Sequence, residues 1–120
     1  MIEVIVGAVI YTATLVGCYD GDTCTIKFDN APEILAEQTL RFKGFDTPEI
    51  RGKCKEEKEK AAIAKTVTTA YMKQVGKVYA TGERGKYGRL LVTVPELQDH
   101  LIEYGYAKPY DGGTRQGWCE

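Results

Sequence analysis

The sequence predicts an α+β fold that is mainly β, with strands filling the first half and helices entering in the second. Three observations carry that expectation. Apolar and polar residues alternate with a period of two through much of Val9 to Phe45, as the two faces of a strand require. Cys54 to Lys73 instead repeats apolar side chains at three- and four-residue spacing, the pattern of a helix. Short strand-like runs around a glycine-rich turn then resume, and Pro95 opens a last helical pattern.

Each element follows from its residues. In Val9 to Val16, one face carries Val9, Tyr11, Ala13 and Leu15, and the other carries Ile10, Thr12, Thr14 and Val16. Asp20-Gly21-Asp22 is turn chemistry, because Gly and Asp accept the angles of a tight reversal. Thr23 to Phe28 is a second strand with Cys24, Ile26 and Phe28 on one face, and Asp29 to Gln38, with Asn30 and Pro32, reads as a loop. Thr39 to Phe45 is a third strand, with Leu40 and Phe42 on one side and Arg41 and Lys43 on the other. The helix of Cys54 to Lys73 presents Ile63, Val67, Ala70 and Tyr71, and Glu56, Glu57 and Glu59 suit the positive end of its dipole. Lys77 to Thr81 and Arg89 to Val94 are two more strands around a turn at Gly82 to Gly88. A short helix with Leu97, Leu101 and Ile102 on one face stops at Gly105. Five strands with a helix after the third and another after the fifth fit a five-stranded Greek-key barrel of the OB type with two or three helices. A ferredoxin-like sandwich is the alternative.

With 120 residues, 43% of them hydrophobic, the chain is expected to form a single domain over residues 1–120 with one modest core. Charged residues are 28%, a globular proportion that argues against disorder. The net charge of -1 runs against the basic excess usual in nucleic-acid binders, but its placement is uneven. Lys77, Arg84, Lys86 and Arg89 face only Glu83 in their stretch, and Arg41, Lys43, Arg51, Lys53 and Lys55 form a second basic run. Cys18, Cys24, Cys54 and Cys119 form no CxxC pair, which argues against structural zinc. The apolar run Met1 to Ile10 has neither a basic flank nor a cleavage site and is too short to cross a membrane. Location stays unknown, with the cytoplasm expected over secretion, and buried free thiols are the expected cysteine state. A Cys54 to Cys119 bridge stays open, because spacing does not determine connectivity.

Three segments can carry chemistry. Carboxylates on the Asp20-Gly21-Asp22-Thr23 turn can gather around a hard cation, although such turns are common without one. In Arg41 to Glu49, Asp46 lies just past the end of a strand that carries Arg41, and Pro48 restricts Thr47 beside Glu49. A carboxylate, a carbonyl and a second carboxylate then stand in fixed relation, with a guanidinium near them. In Lys86-Tyr87-Gly88-Arg89, arginine offers a planar fork for phosphate oxygens and tyrosine a ring for a base. The plain alternative is a basic turn entering a strand. His100, among polar residues on the last helix, reads as a surface histidine.

Together and in this order, these segments and Gly105-Tyr106-Ala107-Lys108-Pro109-Tyr110 resemble the staphylococcal nuclease family, over about Val9 to Tyr110. The resemblance implies a calcium-dependent endonuclease that hydrolyses the phosphodiester bonds of DNA and RNA and leaves 3'-phosphate products. By the same match, Asp22 and Asp46 supply metal carboxylates and Thr47 a metal-binding carbonyl. Glu49 is the general base or water-orienting group, and Arg41 and Arg89 grip the scissile phosphate. Lys86, Tyr87 and Tyr110 contact the nucleotide. Calcium is the implied cofactor, and a monomer acting without strong sequence preference and away from membranes is expected. The chain ends soon after Tyr110, where the family prototype continues into another helix, and the cysteines lie outside the family pattern. The rivals are an OB-type nucleic-acid binder without catalysis, for which Glu49 would have no use, and a protein-interaction module, which would want an aromatic cage.

Overall fold

The computed structural model describes residues 1–74 and 76–119. In chain order the strands are β1 (Ile2–Val6), β2 (Val9–Asp20), β3 (Thr23–Phe28), β4 (Glu37–Phe42), β5 (Phe45–Asp46), β6 (Lys77–Arg84), β7 (Leu90–Thr93) and β8 (Lys108–Pro109). The helices are α1 (Glu33–Ala36), α2 (Lys55–Gln74) and α3 (Pro95–Glu103), and a 3-10 turn covers Lys86–Gly88. Strands β1, β2, β3 and β4 pair antiparallel in succession. Parallel pairing of β4 with β7, antiparallel pairing of β7 with β6, and parallel pairing of β6 with β1 close the barrel. Strands β5 and β8 form a separate two-stranded sheet.

The closed barrel bears out the mainly β, α+β expectation and excludes the ferredoxin-like sandwich, but it has six strands rather than five. The added strand is β1. Its residues read as an apolar run with no partner, because the signal is the reversal at Gly7 (φ 60°) that folds it onto β2 and lets it pair with β6, over 70 residues away. The predicted loop at Asp29 to Gln38 contains α1 and the start of β4. The predicted strand Thr39 to Phe45 breaks at Lys43-Gly44, where Gly44 takes φ 100° and redirects Phe45 and Asp46 onto β8.

Leu40, Phe42, Ile26, Val78 and Val92 fill the barrel, with Phe45, Leu97 and Leu101 closing one side. Helix α2 seats Glu57, Ala61, Ala64, Thr68 and Met72. That face is offset by one residue, about 100° around the helix axis, from the stripe its larger side chains suggest. Ile63 and Ala70 are exposed and only Val67 and Tyr71 touch the core. Small residues win the buried face because the helix lies close on β2 and on the Gly21 turn. An added Cβ at Gly21 would stand 2.8 Å from Thr47 Cγ2 and 2.9 Å from Ala64 Cβ. No helix among the described residues is long and apolar enough to cross a membrane.

The free-thiol expectation does not hold, since all four cysteines are bridged. Cys18 and Cys24 are facing partners on β2 and β3, with Cα atoms 3.9 Å apart. Strand pairing across the turn brings together thiols that a spacing of six leaves unrelated in sequence. Cys54 and Cys119, 65 residues apart, tie the start of α2 to the C-terminal segment.

Candidate functional site

The β2–β3 reversal, the end of β4 and the β4–β5 break converge on one rim of the barrel. Phe42 N–H donates to Asp22 O at 2.9 Å, so the turn is stitched to the last residue of β4. Thr68 Oγ donates to Gly21 O at 2.7 Å and clamps the same turn from α2. Asp22 is therefore held from two sides, and its side chain is buried. The Arg41 guanidinium lies across it: Nη1 is 2.6 Å from Asp22 Oδ2, and Nη2 is 3.5 Å from Asp46 Oδ1. One planar cation thus touches both carboxylates. Thr47 N–H donates to Asp22 Oδ2 at 3.2 Å, while the buried Thr47 Oγ1 has no partner.

Burial raises the Asp22 carboxyl to about 6, and the hydrogen bond and charge of Asp20 push the same way, while Arg41 and the Thr47 N–H oppose them. Burial also raises Asp46, against the hydrogen bond from Arg115, and the Asp22 charge adds to the rise. Two buried acids that resist ionising side by side are suited to a divalent cation, because added positive charge relieves both burial and mutual repulsion. The donors are hard oxygens: Asp22 and Asp46 carboxylates and the Thr47 carbonyl. They fit calcium in kind, since calcium takes carboxylate and backbone carbonyl ligands.

This rim forms the floor of a cleft of about 870 Å³. Asp22, Arg41, Asp46, Glu49, Lys86, Tyr87, Arg89 and Tyr110 all line it, so the sequence-predicted residues share one cavity, with Thr47 directly behind its floor. They are not all in contact. Arg89 Nε donates to Lys86 O at 3.1 Å, and its guanidinium lies 5.6 Å from the centre of the Tyr87 ring. Tyr87, at φ 62°, presents that ring to solvent. Tyr110 N–H donates to Gly44 O at 3.0 Å, which docks the segment after β8 onto the β4–β5 break. His100 is exposed beside Tyr104, as the sequence suggests.

Asp20, whose turn the sequence singles out without giving this residue a role of its own, lines the cleft and accepts the Asp22 N–H at 3.2 Å. Three participants escaped sequence reasoning. Thr68 clamps Gly21. Glu57 is buried and accepts N–H bonds from Glu49 at 3.2 Å and Lys53 at 2.9 Å, fixing the loop that carries Glu49. Its place in the first turn of α2 suggested only a dipole partner. Arg115 is the largest omission. Its Nε lies 2.7 Å from Asp46 Oδ2, its Nη1 pairs with Glu49 Oε1, and its Nη2 is 3.5 Å from Thr47 O. The available signal was the Cys54 to Cys119 alternative, because that bridge draws the tail toward Glu49. Cys54, Glu57 and Cys119 also gather their donor atoms, but the two sulfurs are bonded to each other. No protein-family model matches this chain, and no curated protein matches it.

Proposed function

We propose that this chain is a calcium-dependent endonuclease acting on DNA and RNA, leaving 3'-phosphate ends, on an OB-type barrel of the staphylococcal nuclease kind. The single observation that carries the reading is the meeting of Asp22 and Asp46 on the Arg41 guanidinium, at the floor of a cleft with Arg89, Lys86, Tyr87 and Tyr110 on its walls. Asp22, Asp46 and the Thr47 carbonyl would hold calcium, whose charge favours the negative charge that develops on phosphoryl oxygens.

The chain's own residues divide the remaining work. Arg41 and Arg89 offer planar donor forks to the scissile phosphate, Arg41 from the cleft floor and Arg89 from the wall. Glu49, on a loop fixed by Glu57, takes a proton at its carboxylate from the attacking water. Departure of the 5' oxygen then leaves the phosphate on the 3' side. Tyr87 and Tyr110 offer ring faces to bases, and Lys86 a charge to a neighbouring phosphate.

The test is cleavage of plasmid, single-stranded DNA and RNA with calcium, with magnesium and after chelation. Cleavage should require calcium and be poor with magnesium, which demands stricter octahedral geometry. Full activity after thorough chelation sinks the metal assignment. Binding without cleavage in calcium moves the chain to a nucleic-acid-binding module.

A further inference from the structure

We propose that Tyr110 to Cys119 is a strap that delivers Arg115 as a resident counter-cation to the metal site, so that calcium binds only by displacing it. The inference rests on reading Asp46 and Thr47 as metal ligands and Glu49 as the water-activating group. Arg115 contacts all three: the Asp46 carboxylate, the Glu49 carboxylate and the Thr47 carbonyl. A guanidinium and a divalent cation compete for the same oxygens, so each lowers the apparent affinity of the other.

The strap is held at both ends. On one side β8 pairs with β5, and Tyr110 N–H bonds Gly44 O. On the other, Cys119 is bonded to Cys54, and buried Trp118 lies against Lys108 and Lys60. Lys108 Nζ also donates to Gly117 O. Anchoring both ends of a short segment keeps Arg115 at high effective concentration over the carboxylates. The Arg115 side chain is itself 41% exposed, so its pairing is reversible rather than locked. A second consequence follows from its contact with Glu49. While Arg115 is seated, the carboxylate that should accept the water proton is bound to a cation, so one movement opens both the metal ligands and the base. The Cys54–Cys119 bridge makes this a redox-dependent device, because a thiol reductant converts the disulfide to two thiols, is itself oxidised, and frees one anchor.

Calcium affinity of the full oxidised chain, measured by calorimetry, is compared with that of Arg115→Gln and of the Cys54→Ser/Cys119→Ser double variant, with Lys65→Gln as a surface control. Arg115→Gln changes a half-exposed side chain, so it remains informative if the cysteine variant does not fold. The expected result is calcium binding about tenfold tighter in Arg115→Gln, in the range usual for coupled sites, a smaller gain in the cysteine variant, and none in Lys65→Gln. By reciprocity, calcium should also speed amide hydrogen exchange in residues 110–119 of the unaltered chain. Equal calcium affinity in the unaltered chain and Arg115→Gln overturns the strap and leaves the nuclease reading standing. Absence of calcium binding in every form overturns both.

Discussion

Asp22 is buried against Asp20, Arg41 and Thr47, and its raised titration gives the site a pH dependence of definite sign. A carboxyl that holds its proton more tightly folded than unfolded disfavours the calcium-free fold once pH exceeds its folded value of about 6. That burden fades as pH falls toward the ordinary carboxylate range. Calcium needs the ionised form, so affinity should drop as pH falls through about 6, with proton uptake by Asp22. Calcium titrations on either side of that value check this, and a flat profile would show that Asp22 is not a ligand. The catalytic assignments are tested at the same scale. Arg89→Lys keeps the charge and loses the fork, and Glu49→Gln keeps the shape and loses the base. Each should remain folded and lose about a hundredfold in single-turnover cleavage, the usual cost of one fixed donor, with calcium-supported nucleotide binding largely kept. Rates near that of the unaltered chain for both would remove Arg89 and Glu49 from the chemistry. Turn chemistry and period-two patterning placed Asp22 on a reversal, Arg41 on a strand and Asp46 just past it, but the roles of these residues and of Glu49 came only from the family resemblance. Arg115 was not legible, because it acts across 69 residues and lies in a tail without periodicity.

The elements that build the site are coupled through the Gly21 turn and the two bridges. Gly21 has no room for a side chain against Thr47 and Ala64, and its carbonyl is the acceptor that Thr68 holds. Gly21→Ala should push the turn off α2, cost about 1–3 kcal/mol as an overpacked site does, and weaken calcium binding because Asp22 moves with it. Denaturant unfolding and calcium titration of that variant measure both effects, and an unaltered midpoint would show that α2 yields without cost. The Cys54–Cys119 bridge closes a separation of 65 residues, so its reduction should cost about 4 kcal/mol on the chain-entropy model. Unfolding with and without reductant decides this, and equal stability would show that the bridge adds nothing. Free thiols, the state expected from sequence, would leave the fold indifferent to reduction. Strand β3 and the extents of α2 and α3 were readable from periodicity, because local spacing suffices for them. The buried face of α2 was not, because close approach to a glycine turn selects small residues over the larger apolar ones. A barrel was expected, but the strand pairs that close it were not readable, since β4–β7 and β6–β1 are parallel pairings between distant segments.

At the scale of the whole molecule, the proposed activity asks a chain of net charge -1 to hold a polyanion. Long-range attraction is therefore weak, and phosphate contacts must come from the few cations at the cleft. Arg41 is engaged by Asp22 and Asp46, Lys43 lies 3.8 Å from Glu83, and Arg84 donates to Gly88 O at 2.6 Å. Lys86 and Arg89 stand beside the open cleft with Arg41 on its floor, which allows about three phosphate contacts. Single-strand binding should then follow salt with a log–log slope of about -2, at roughly -0.7 per phosphate. Between 50 and 200 mM salt that amounts to an affinity loss of roughly fifteenfold. The measurement is fluorescence anisotropy of a labelled single-stranded oligonucleotide with the Glu49→Gln variant in calcium, so that cleavage does not intervene. Lengthening the oligonucleotide beyond the cleft should add little affinity if the cleft cations supply the phosphate contacts. A slope steeper than about -5 would reveal a basic path outside the cleft. A slope near zero would mean that phosphate is not what Lys86 and Arg89 bind, and the phosphodiester reading would fall with it.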